Sequence, residues 1–112
     1  MVPSQGDGVF EIAADRFSLL SSPAPLRIVF ALIEGEKNVT ELIKRVALSR
    51  PDMSQHLGSL YRGGVLARRR TGSLVFYRIE HAQVISWCRA LRVCAEHPAA
   101  TPGLRRRPTH LI

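Results

Sequence analysis

The sequence predicts a mainly α domain with a small β-hairpin, in the order α-α-α-α-β-β-α. Apolar residues recur at helical spacing in four stretches before residue 63, two runs of strand formers then flank Thr71-Gly72-Ser73, and the helical period returns from His81. A length of 112 residues holds one ordinary domain. The expected divisions are a flexible N-terminus over 1–8, the domain over 9–97, and a basic, disordered tail over 98–112 carrying Arg105-Arg106-Arg107 between prolines.

In the first helix, read from about Gly8 to Leu20, one face holds Phe10, Ala13, Ala14, Phe17 and Leu20, and Asp7 stands where a cap is needed. Ser22-Pro23 supplies a cap and a first-turn proline for the second helix, whose Leu26, Val29, Phe30 and Ile33 face inward until Gly35 ends it. Asn38-Val39-Thr40-Glu41 has the spacing of a capping box and leads into the short apolar face Leu42, Ile43, Val46. Ser49-Arg50-Pro51-Asp52 repeats that logic, and Met53, Leu57 and Leu60 form the buried stripe of a fourth helix that Gly63-Gly64 stops. Residues 65–70 and 74–79 should pair as a hairpin. In the fifth helix Val84, Trp87, Cys88, Leu91, Cys94 and Ala95 fall on one side.

Sixteen Lys and Arg against nine Asp and Glu leave a charge of +7, which favours a polyanionic partner. Between Lys44 and Arg70 seven basic residues face the single acid Asp52, so +6 of the excess is local. Two short helices joined by a tight turn, the second polar outside and followed by a basic hairpin, suit a reader of the DNA major groove. With Met53, Leu57 and Leu60 inward, helical geometry turns Pro51, Ser54, Gln55, Gly58 and Arg62 outward, with Asp52 and Ser59 on the flank. Gln bonds adenine through a bidentate pair, Arg does so with guanine, and Ser contacts a base edge or a phosphate. His56 falls beside the core stripe, which suits packing or a phosphate contact. Arg68, Arg69 and Arg70 alternate along a strand, so at least one turns inward or along the sheet while the others face phosphates. The tip Thr71-Gly72-Ser73 is small enough for a minor groove. Candidate DNA contacts are therefore Arg50, Asp52, Ser54, Gln55, His56, Ser59, Arg62, Arg68, Arg69, Arg70, Thr71, Gly72 and Ser73. The alternatives are a protein-interaction module or a redox-responsive switch without specific DNA binding.

Several classes are disfavoured. There is no Gly-rich phosphate loop, no nucleophile with an evident His and acid partner, and no pair of carboxylates, so an enzyme is not expected. The longest apolar runs fall far short of the roughly 20 residues that cross a bilayer. The N-terminus lacks a basic start followed by an apolar block, so the expected location is the cytoplasm, with no membrane partner. Two cysteines make no disulfide framework and are expected as free thiols.

The run Leu48-Ser49-Arg50-Pro51-Asp52-Met53-Ser54-Gln55-His56-Leu57-Gly58-Ser59-Leu60, then Gly63-Gly64-Val65-Leu66, then Arg69-Arg70-Thr71-Gly72 to Phe76-Tyr77-Arg78-Ile79, closely resembles the ArsR/SmtB family of bacterial repressors. Leu19 to Ile28 resembles that family's entry into its second helix, and the likeness covers about residues 9 to 97. The resemblance implies a winged helix-turn-helix with residues 68–73 as the wing. It also implies a homodimer, joined through first and last helices, that represses promoters at imperfect inverted repeats of double-stranded DNA.

The same resemblance raises the question of a release signal, metal or thiol-reactive. The stretch 38–43 has no cysteine where arsenic- and cadmium-sensing members carry theirs. The positions matching the zinc-sensing members' last-helix ligands are His81, Gln83, Cys94 and His97, of which His81, Cys94 and His97 could hold zinc or another divalent metal across two chains. Cys88 and Cys94 are the candidate redox thiols. They stand six residues apart, a rise of about 9 Å on one helix, whereas a disulfide needs Cα atoms within roughly 7 Å. In members that sense reactive sulfur or oxidants, a second-helix cysteine stands where this chain has Phe30. The alternative is two cysteines packing an interface and exposed histidines.

Overall fold

The helical and strand periods of the sequence become, in a computed structural model that describes residues 2–96, five helices and a three-stranded antiparallel sheet. In chain order the elements are α1 (Val2–Leu19), α2 (Pro23–Ile33), β1 (Lys37–Asn38), α3 (Val39–Arg45), α4 (Arg50–Arg62), β2 (Leu66–Thr71), β3 (Leu74–Ile79) and α5 (Ala82–Glu96). The tail over 98–112, with Arg105-Arg106-Arg107, and His97 lie outside the described residues.

The core is built on α2. Its Ile28, Val29, Ala31 and Leu32 are buried, so it is apolar on more than one face, and Met53, Leu57 and Leu60 of α4 close on it with Leu42, Val46, Val65, Leu66, Tyr77, Val84 and Cys88. A helix covered on several sides needs no polar face, which is why its spacing understates how much of it is inside.

Four details depart from the sequence reading. α1 begins at Val2 rather than near Gly8, so Asp7 lies within the helix and is not its cap. Ser22 has the extended backbone of a cap but makes no side-chain capping bond, leaving the start of α2 to the first-turn proline. Lys37–Asn38 pairs with β3 through Lys37↔Tyr77 and Asn38↔Phe76, adding a third strand in the order β1-β3-β2. Two residues carry no alternation, so the sequence held no signal for it. Thr71 pairs with Leu74, so the tip of the hairpin is Gly72-Ser73 rather than three residues.

The end of α4 is set chemically. The Val65 N–H donates to the Leu60 carbonyl and the Gly64 N–H to that of Tyr61, a Schellman arrangement that needs Gly64 at φ +81°. A Cβ at Gly63 would overlap the Leu19 side chain, so this glycine lets the end of α1 lie on the end of α4. Leu20 is buried, and Phe17 stacks on Trp87 of α5 at 4.8 Å between ring centroids. Much of the α1 stripe stays open among the described residues: Phe10 is 73% exposed, and Phe17 keeps 48% exposure despite its contact with Trp87. The α5 stripe splits likewise, with Val84 and Cys88 buried and Leu91, Cys94 and Ala95 exposed. Among the described residues no single helix is long and apolar enough to cross a membrane.

Candidate nucleic-acid interface

Both helices of the helix-turn-helix start where their caps dictate. At α3 the Asn38 side chain accepts from the Glu41 N–H while the Glu41 carboxylate accepts from the Asn38 N–H, each at 2.9 Å. That is the reciprocal capping box the spacing predicts. At α4 the Ser49 hydroxyl accepts from the Asp52 N–H at 3.2 Å, with Pro51 in the first turn. Arg50 reaches back to donate to the Thr40 hydroxyl at 3.3 Å, tying the start of α4 to α3.

α4 has two chemically opposite faces. Met53, Leu57 and Leu60 are at most 1% exposed, while Arg50, Asp52, Ser54, Gln55 and Arg62 are exposed, and His56, Gly58 and Ser59 are half-buried on the flanks. At Gly58 the nearest atoms a Cβ would meet belong to the flexible end of Arg62 on the same helix, not to the core. Its small size therefore has no explanation in the core and leaves the outer surface of α4 low.

The wing sorts its three arginines by strand parity. Arg68 pairs with Tyr77 and Arg69 with Phe76, so Arg68 and Arg70 project from the sheet face that carries buried Tyr77 and Leu66, toward α4, and Arg69 projects from the other. The Arg68 guanidinium lies 3.9 Å over the ring of Tyr61 on α4, and a hydrogen bond to Tyr77 favours its charged form. Arg69 is held by Glu36 in a bidentate pair at 2.8 Å, donates to the Thr71 hydroxyl and lies over Phe76. Thr71, Gly72 and Ser73 are exposed at the tip. The local charge excess is thus smaller than counting suggests: Glu36 neutralises Arg69, and Glu34 takes Arg45 through its Nε and Nη2.

Sequence reasoning missed Glu36 and Tyr61. Glu36 precedes a two-residue strand with no periodicity, and its link to Arg69 exists only once β1 pairs with β3. Tyr61 sat beside the predicted stripe, and only its neighbour Arg68 gives it a part.

The clamp makes a pH prediction. Arg69 beside Glu36 holds its carboxyl below the ordinary value of 4.5. A carboxylate whose folded pKa is depressed contributes stability above its unfolded pKa and loses it as pH falls through the folded value. Wild type should therefore melt above Glu36→Gln at pH 6, and the two melting curves should converge below pH 4. A gap that persists unchanged to pH 3 contradicts the clamp.

Of the candidate sensing residues, the described ones stand apart within one chain. His81 stands just before α5 and Cys94 in its last turn, roughly 20 Å apart along a helix, and the described residues contain no cluster of three metal-ligating side chains. Cys88 is fully buried and desolvation pushes its thiol pKa up, which disfavours the reactive thiolate, whereas Cys94 is exposed.

Comparison with known proteins follows the same geometry. Residues 22–67 match the model of the bacterial regulatory protein, arsR family. The biofilm growth-associated repressor of Xylella fastidiosa is 35% identical over 89 residues, 78% of each chain. A helix-turn-helix transcriptional regulator of Mycobacterium tuberculosis is 33% identical over 107 residues, 90% of this chain and 94% of its own. The crystal structure of the transcriptional repressor BigR from Xylella fastidiosa superposes with a TM-score of 0.72 at 31% identity, covering 83% of this chain and 95% of that one. The chain belongs to the arsR family of bacterial regulatory proteins and is a DNA-binding transcriptional regulator of winged helix-turn-helix fold.

Proposed function

We propose that two copies of this chain, joined through α1 and α5, lay their α4 helices into successive major-groove segments of an inverted repeat and repress the promoter they cover. One observation carries this reading: the exposed polar face of α4 and the face bearing Arg68 and Arg70 are presented together, tied through Tyr61. Gln55 and Ser54 read base edges, and Arg50, Arg62, Arg68 and Arg70 hold phosphates. Gly72-Ser73 approaches the minor groove, and Arg69 positions the wing rather than touching DNA.

Dimerisation is supported by the apolar surface left open on α1 and α5, where Val9, Phe10, Ile12, Phe17 and Leu91 are each about half exposed or more. A two-fold pair places its reading helices one helical turn apart, about 34–36 Å. The chain works by binding rather than catalysis, in the cytoplasm where chromosomal DNA is reached.

Gln55→Ala tests the reading. Losing a bidentate base contact costs about 1–3 kcal/mol of discrimination. Binding to the genomic site recovered by footprinting should weaken roughly 5- to 150-fold, by the same principle, while binding to random duplex and the unfolding midpoint stay put. Equal weakening on both DNAs would remove Gln55 from base reading.

A further inference from the structure

A cavity of about 620 Å³ opens between α2, the end of α3 and α5, and shares no lining residue with the cleft beside the wing arginines. That volume lies within the roughly 300–1,000 Å³ of small-molecule pockets. Phe30, Ile33, Val46 and Val93 give it an apolar lining, and four guanidiniums stand around it, those of Arg27, Arg45, Arg89 and Arg92. Its two carboxylates are already taken: Glu34 by Arg45, and Glu96 by Arg92 at 2.8 Å. Among the described residues Arg27 and Arg89 have no carboxylate partner, so the cavity keeps a surplus of two positive charges over an apolar floor. Arg92 also lies 5.6 Å from the Phe30 ring centroid, a cation above an aromatic face.

We propose that this cavity is an effector site for a small organic anion with an aromatic or branched apolar body, a carboxylate being the simplest. The apolar body would lie on Phe30 and Val46 and the anion between Arg27 and Arg89, where a planar guanidinium offers paired donors to a carboxylate. The α5 residues lining the cavity, Arg89, Arg92, Val93 and Glu96, fall on the flank opposite Trp87, which packs on α1, so a ligand there does not compete with the α1 contact. Occupancy bears on DNA through one connection. Arg45 ends α3, its carboxylate partner Glu34 caps the end of α2, and five residues after Arg45 the recognition helix α4 begins. An anion held by Arg27 and Arg89 in the same cavity competes with Glu34 for Arg45 and so acts on the segment that joins α3 to α4.

The proposal rests on the DNA-binding reading for its consequence but not for its binding step, and the two arms of the test separate them. In calorimetry without DNA, 1-naphthoate should bind the purified chain at least tenfold more tightly than the neutral 1-naphthalenemethanol. The double variant Arg27→Glu/Arg89→Glu should abolish that preference while keeping the unfolding midpoint. Conservative Arg27→Lys/Arg89→Lys, which retains the charge, should restore most of it. Equal affinity for acid and alcohol, or an unchanged preference in the charge-reversed variant, overturns the site whether or not the protein binds DNA. In the second arm, saturating 1-naphthoate should shift the DNA-binding midpoint of wild type at least fivefold and leave that of the charge-reversed variant in place. Binding with no such shift overturns the regulatory role.

Discussion

Truncating Leu57 to Ala should lower the stability of the domain by about 2–5 kcal/mol, the range for removing a buried Leu side chain and leaving a partly collapsed cavity. Leu57 is fully buried on the inner face of α4, within the cluster that joins α4 to α2, α3 and the sheet. Small domains hold only about 5–15 kcal/mol in all, so this one change removes a large share of the total. Ser54→Ala, one turn away on the exposed face, removes no buried contact and should stay within about 0.5 kcal/mol of wild type. Urea denaturation at fixed protein concentration reads both. The pair separates folding from recognition on a single helix: Leu57→Ala loses DNA binding in proportion to the unfolded fraction, and Ser54→Ala loses it without unfolding. A Leu57→Ala midpoint equal to that of wild type would mean that α4 does not pack as described.

The parts legible in the sequence share one physical property: each is decided by residues close together in the chain. The Asn38 box, the Ser49 cap, the Gly64 stop and the stripe Met53, Leu57, Leu60 are all set within a helical turn or two, and all stand in the structure as the spacing predicts. What the spacing could not give depends on distant segments meeting. The Glu36–Arg69 pair spans 33 residues and needs β1 seated on β3. The apolar sides of α1 and α5 were legible, but periodicity does not register whether such a side is covered by the same chain or another, and only the resemblance pointed to a partner. The arginine triad is the clearest case. Alternation along the strand already sends the three to two faces in the sequence, as the register bears out, but that one of them is spent on a carboxylate 33 residues away exists only in the fold.

That division of the arginines gives the second large effect. Among the described residues Arg50, Arg62, Arg68 and Arg70 of the recognition helix and wing have no carboxylate partner, whereas Arg69 does. Eight phosphates neutralised by a pair of chains would give log affinity a slope of about −7 against log salt, close to −0.9 per phosphate. Raising salt from about 50 to about 200 mM should then weaken binding to any duplex by roughly 10⁴-fold, and a protein without this interface would show almost no change. The variants sharpen the expectation. Arg70→Ala, which removes two contacts per pair of chains, should flatten the slope by about 2. Arg69→Ala should flatten it much less, because its charge is already balanced by Glu36, and should instead weaken all duplexes modestly by loosening the wing. Fluorescence anisotropy titrations at four salt concentrations would measure these slopes. If Arg69→Ala and Arg70→Ala flatten the slope equally, the guanidinium leaves Glu36 for the phosphate when DNA arrives, and the wing is not held by its clamp in the bound state.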